Sequence, residues 1–249
     1  MNERTVLTVV VSLFMAAPAA AFQGRPTYEV ADVPDGATLS GQVTFTGRTP
    51  NPSRLLITRD MEICGEGFRE RREVDVAESG GLRAVVVTIE GVTSGRPWAD
   101  RPDGYAVDQK DCFFTPYIQV MPWGTDFDVI NSDPVLHNIH GYEMMNGGRR
   151  TMFNLGQPEM DTISAMLRTR RGRVVGLECD AHDFMLGWIY AADSPYHVIV
   201  DEDGRFEIEG IPPGTYTVRA WHPRLGTQER ELTFEPGGAA ETEFVFARD

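Results

Sequence analysis

Residues 173–190 read RVVGLECDAHDFMLGWIY, and their pattern decides the fold class. Residues 173–179 and 186–192 are rich in Val, Leu, Ile, Trp and Tyr, side chains that suit a pleated, half-buried surface. The short polar stretch between them makes the whole a strand, a tight loop and a second strand. The same pattern recurs outward in both directions. Residues 38–46 (TLSGQVTFT), 83–90 (RAVVVTIE), 117–121 (YIQVM), 126–131 (DFDVIN), 204–209, 215–221, 229–234 and 241–246 all read as strands. Gly, Pro, Asp or Asn separates them. Many short strands with frequent turn signals predict an all-β chain of packed sheets. Only residues 158–167 (PEMDTISAML) are expected to form a short helix.

A chain of 249 residues can bury one large core or two smaller ones. With 23 basic and 37 acidic residues the formal charge is -14, which excludes a nucleic-acid binder relying on a basic footprint. Nearly all the positive charge is Arg, Lys110 being the single lysine. Arg149, Arg150, Arg168, Arg170, Arg171 and Arg173 cluster, either as a solvated stretch neutralising local carboxylates or as a docking feature. Residues 6–21 (VLTVVVSLFMAAPAAA) end on small residues acceptable to a signal peptidase, so residues 1–21 are expected to be a signal peptide. No other stretch is long and apolar enough to span a membrane after its removal. The expected location is periplasmic or otherwise extracytoplasmic, where disulfides persist. Three cysteines then imply one bridge and one thiol with another task.

Cys179, His182 and Met185 form a C-x2-H-x2-M run that presents a thiolate, an imidazole and a thioether from one loop. Upstream, residues 131–140 (NSDPVLHNIH) follow another strand and offer a second imidazole from His137 or His140. Two His, one Cys and a weak axial Met are the ligand set of a blue-copper site. Zinc would favour four Cys or His ligands, and Met serves it poorly. With five His in the chain, a multicopper oxidase is disfavoured, and no second His-rich site suggests a nitrite reductase.

Leu136-His137-Asn138-Ile139-His140 and residues 179–185 resemble the copper motifs of the cupredoxins, of amicyanin and plastocyanin type. The resemblance covers about residues 110–195 and implies a cupredoxin-like Greek-key β-sandwich holding one type 1 copper ion. It assigns His137, Cys179 and His182 to the trigonal plane and Met185 to the axial position, and prefers His137 over His140. Asn138 would pin the loops together and hydrogen-bond near the sulfur. His182 would lie near the surface as the electron port, in an apolar collar with Phe184 and Leu186. The sequence departs from the family in Asp183, where amicyanin often has Pro, and in a longer segment between Gly141 and Arg173. The implied activity is transfer of single electrons without bond chemistry, so not an enzyme. Redox proteins such as c-type cytochromes, or a membrane electron-transfer complex, would be its partners. The alternative is a non-redox copper-binding or structural subunit of an extracytoplasmic assembly.

Residues 201–223 (DEDGRFEIEGIPPGTYTVRAWHP) resemble the later half of the carboxypeptidase regulatory-like, or transthyretin-like, β-sandwich. Residues 41–47 (GQVTFTG) are similar to the opening strand of that module. The expected organisation is a signal peptide at 1–21 and a β segment at 22–109 completing the C-terminal sandwich. A cupredoxin-like copper domain follows at 110–195 and the regulatory-like segment at 196–249. A bridge between Cys64 and Cys112 would tie the N-terminal segment to the copper domain, with two unpaired thiols or a second metal site as alternatives. Asp201 and Asp203 read as a turn rather than a calcium loop, and His197 and His222 as packing or exposed residues.

Overall fold

The structure, a computed structural model, describes residues 27–248. The expected signal peptide lies outside them. The chain folds as two β-sandwiches, and the first draws its strands from both ends of the sequence. Ala37–Thr46 alternates, burying Ala37, Leu39, Val43 and Phe45. It lies between Arg205–Ile211, antiparallel, and Ala239–Ala247, parallel. At Gly41 a Cβ would sit 1.9 Å from the Thr242 carbonyl oxygen and 2.7 Å from the Phe206 ring, so the strand crosses there only as glycine. The facing sheet runs in the order His197–Ile199, Val86–Glu90, Gly214–His222, Gly226–Phe234. Leu39, Val43, Phe206 and Phe244 of one sheet meet Val87, Ile89 and Val218 of the other in a single core.

Val86–Glu90 (VVTIE) is buried at each of its first four residues, Thr88 included, because both of its faces are covered. Val87 and Ile89 enter that core, whereas Val86 joins Ile118, Val120, Tyr190, Ala192 and Trp221 in a smaller cluster where the two sandwiches meet.

The second sandwich has a five-stranded sheet in the order Gly148–Gln157, His137–Met145, Val174–Glu178, Leu186–Ala192, Ile118–Pro122. Its partner sheet runs Thr162–Met166, Asp126–Asn131, Ala106–Lys110, Phe113–Thr115. Val107, Phe127, Val129, Ile139, Val175, Leu177 and Ile189 fill the space between. The long segment after Gly141 is therefore part of this sandwich: Gly148–Gln157 returns antiparallel along His137–Met145. Three of the six clustered arginines pair with local carboxylates, Arg149 with Glu178, Arg150 with Glu143, and Arg173 with Glu90 and Asp193.

Residues 158–167 do not form the expected helix. Thr162–Met166 is a strand antiparallel to Asp126–Asn131, with Ile163 opposite Val129 and Ala165 opposite Phe127. Ile163, Ala165 and Leu167 turn to the core while Met166 is exposed. That is a period of two, and pairing with an existing strand outweighs a weak helical preference.

Of residues 22–109, expected with the C-terminal sandwich, Ala37–Thr46 and Val86–Glu90 lie there. Ala106–Lys110 and residues 53–71 lie on the second sandwich instead. Within the latter, Ser53–Leu56 pairs antiparallel with Phe68–Arg71. The helical turn Met61–Cys64 sits between them, with Ile57 and Cys64 sunk into the second core. The expected bridge is present: Cys64 and Cys112 are disulfide-bonded, with Cα atoms 5.2 Å apart.

Candidate metal centre

Cys179 directly follows the buried strand Val174–Glu178, and His137 opens His137–Met145. These strands pair antiparallel with His140 opposite Glu178, and beyond that pair Asn138 meets the Asp180 N–H, next to Cys179. After Cys179 the loop makes two successive turns. The His182 N–H donates to the Cys179 carbonyl at 3.2 Å and the Met185 N–H to the His182 carbonyl at 3.0 Å. Cys179, His182 and Met185 recur every third residue and all three are buried, as is His137.

The Nδ1 atoms of His137 and His182 lie 3.0 Å apart, and the Cys179 sulfur lies 3.8 Å from the first and 3.7 Å from the second. The point equidistant from these three atoms is about 2 Å from each, close to the bond lengths imidazole and thiolate make to a transition metal. These residues could hold a metal ion. Burial pushes the Cys179 thiol pKa up, an effect countered in part by the backbone N–H groups of Asn138, Ala181 and His182. Burial also pushes the His137 imidazole down, against the hydrogen bond to Asp133. Without metal the site thus favours a neutral thiol and a neutral imidazole, and a soft cation supplies the charge that makes the thiolate stable.

Asn138 ties the loop to the neighbouring strand. Its Oδ1 accepts the Asp180 N–H at 2.7 Å, the Ala181 N–H at 3.3 Å and the Cys179 thiol at 3.4 Å, while its Nδ2 donates to Asn154 Oδ1 at 2.8 Å. The Asn138 backbone N–H points at the sulfur from 3.5 Å. His140, the other possible imidazole, faces away. Its Nδ1 lies 2.9 Å from Asp180 Oδ1 and its Nε2 3.0 Å from Thr151 Oγ1.

Two carboxylates hold the outer nitrogens of the site's imidazoles. His137 Nε2 meets Asp133 Oδ2 at 2.8 Å, and that same carboxylate accepts the Asp111 N–H at 2.7 Å and the Cys112 N–H at 2.8 Å. Cys112, Asp133 and His137 also converge, but the Cys112 sulfur is committed to the disulfide, so this cluster is a hydrogen-bonded brace. His182 Nε2 meets Asp60 Oδ2 at 2.8 Å.

The structure corrects one expectation here. The His182 side chain is 0% exposed, not a surface port, and Asp60 occupies its outer nitrogen. Phe184 is buried too, with the Arg69 guanidinium 5.2 Å from its ring centre. Asp133, four residues before His137, stood within the motif already singled out and a carboxylate partner could have been sought there. Asp60 lies 122 residues from His182 and carried no signal at all.

The C-terminal part of the first sandwich has a counterpart among known families. Residues 189–247 match the carboxypeptidase regulatory-like domain. No curated protein matches the chain as a relative. Among solved structures, a purple cupredoxin from Nitrosopumilus maritimus is 22% identical over 35% of this chain and 99% of its own, with a TM-score of 0.30. Amicyanin from Paracoccus versutus is 14% identical over 43% of this chain and 97% of its own, at a TM-score of 0.31. A copper-containing nitrite reductase from Thermus scotoductus is 17% identical over 39% of this chain, at a TM-score of 0.31. The match spans only 24% of that reductase. The case for a metal rests on the donor atoms themselves.

Proposed function

We propose that the chain is an extracytoplasmic type 1 copper protein of cupredoxin type that passes single electrons between redox partners. The observation that carries this reading is the triangle of His137 Nδ1, His182 Nδ1 and Cys179 Sγ, built from three buried residues. Copper bound there would supply the Cu(II)/Cu(I) couple. His137, Cys179 and His182 would hold it, and Met185, buried in the same loop, would offer a thioether as a further soft donor.

The protein's own contribution is rigidity. Asn138 fixes the 179–181 turn to the neighbouring strand, and Asp133 and Asp60 fix the orientation of both rings through their outer nitrogens. Such a frame keeps the donor atoms in place whichever charge the site carries, so that little reorganisation accompanies electron transfer. The bridge between Cys64 and Cys112 suits an oxidising compartment. No helix among the described residues is long and apolar enough to cross a membrane. On this reading the partners are redox proteins such as c-type cytochromes or a membrane electron-transfer complex, and no bond chemistry takes place at the site.

Protein loaded with Cu(II) is expected to show an intense thiolate-to-copper absorption and a narrow copper hyperfine splitting. Both should disappear in Cys179→Ser and survive in His140→Ala. A colourless complex, or a spectrum indifferent to Cys179→Ser, refutes the type 1 assignment and favours a non-redox binding role.

A further inference from the structure

Residues 53–71 do more than add a hairpin to the second sandwich: they bring Asp60 against His182 of its metal centre. Asp60 occupies the N-cap position of Met61–Cys64, in the left-handed region at φ 49°, yet its side chain makes no hydrogen bond to the helical turn. Its backbone carbonyl accepts the Ile63 N–H at 3.0 Å and the Cys64 N–H at 2.8 Å, which leaves the carboxylate to reach His182. A non-glycine residue held at positive φ, with its capping group turned elsewhere, is a feature that surrounding structure must enforce. Three contacts do so here. The disulfide anchors Cys64 to Cys112; the Arg69 guanidinium donates to the carbonyls of Cys64 at 2.5 Å and Cys112 at 3.3 Å; and Arg69 stacks 3.8 Å from the Phe113 ring centre. The bridge also joins the two carboxylates: Asp60 lies on the Cys64 side, while Asp133 is held by the Cys112 N–H on the other.

We propose that Asp60 is a positioning residue for the ligand His182, and that residues 53–71, latched by Cys64–Cys112, are a built-in cap that closes this imidazole to solvent and to direct contact with a redox partner. The cap is a property of the folded chain with or without metal, whereas the effect on potential rests on the copper reading. A carboxylate accepting the Nε2 proton makes the ring a better donor to the higher charge state. Removing it therefore weakens Cu(II) binding more than Cu(I) binding. Electrons would then enter or leave through the Asp60 side chain and the cap, not through an exposed ring edge.

The two halves are tested separately. In metal-free protein, diethyl pyrocarbonate modification followed by peptide mass spectrometry should find His182 at least tenfold slower to react than the partly exposed His140. Asp60→Ala and the Cys64→Ser/Cys112→Ser pair should each raise the His182 rate at least tenfold and leave His140 unchanged. Asp60→Asn, which tolerates the left-handed backbone, should keep His182 protected. In copper-loaded protein, both Asp60→Asn and Asp60→Ala should raise the reduction potential. A tenfold selective loss of Cu(II) affinity reads as about 59 mV for one electron. Wild-type His182 reacting as fast as His140 overturns the cap. Potentials of both Asp60 variants equal to wild type overturn the positioning role. Absence of any thiolate-to-copper band refutes the copper reading and the effect on potential with it, while protection of His182 in the metal-free protein still decides the cap.

Discussion

Asn138→Ala is the substitution that most directly tests how the metal loop is held. Its Oδ1 accepts two backbone N–H groups, from Asp180 at 2.7 Å and Ala181 at 3.3 Å, and faces the Cys179 thiol. Truncation leaves those donors without their acceptor and removes the donation to Asn154. Each unsatisfied buried donor costs about 1–3 kcal/mol. The Asp180 and Ala181 amides are only partly buried, so water can replace part of what is lost. The expected destabilisation is therefore about 2 kcal/mol, near the low end for two donors. Urea unfolding of the metal-free protein measures it as a lower midpoint at unchanged slope. Asn138→Asp keeps the acceptor and should recover at least half the loss. If Asn138→Ala unfolds within about 0.5 kcal/mol of wild type, the usual effect of an uninvolved surface position, the view of Asn138 as the pin of the 179–181 turn is wrong.

Other consequences are open to measurement. Replacing Cys64 and Cys112 together by Ser opens a closure of 48 residues and should lower stability by about 4 kcal/mol, visible as a fall in urea midpoint. An equal midpoint in the oxidised and Ser/Ser proteins would contradict it. Burial holds the His222 pKa at about 4, and its Nδ1 accepts the N–H groups of Arg224 at 3.1 Å and Leu225 at 3.2 Å. Because the folded value lies below the unfolded one, the stabilisation is complete above pH 6.5 and fades as pH falls from there to about 4, by on the order of 3 kcal/mol. His222→Asn, which can offer an acceptor near the same place, should flatten that slope in melts between pH 7 and 4.5. An unchanged slope would show that His222 does not titrate as its burial requires.

What was legible in the sequence was local. The alternation in Ala37–Thr46 and the β-branched residues of Val86–Glu90 announced strands because a strand's two faces are written in adjacent residues. The donors Cys179, His182 and Met185 stand three apart in one loop, so their spacing carries their geometry. Residues 162–167 misled because a short segment rich in Ala, Met and Leu suits a helix by composition, and its period of two is decided only by pairing with Asp126–Asn131. His137 and His140 could be separated by family likeness alone. In the structure the register with Val174–Glu178 turns one toward Cys179 and the other toward Asp180.

By itself, then, the sequence pointed to an all-β chain, to a bridge between two of its three cysteines, and to a donor set suited to copper. Tertiary structure alone decided what surrounds that donor set. An imidazole in a loop bears no mark of whether solvent or another segment lies beyond it. Hydrophobic patterning records that a side chain is buried and not which distant residue buries it. Asp60 meets His182 where a disulfide and two arginine hydrogen bonds tie its neighbours to Cys112, an arrangement fixed by contacts between residues far apart in the chain.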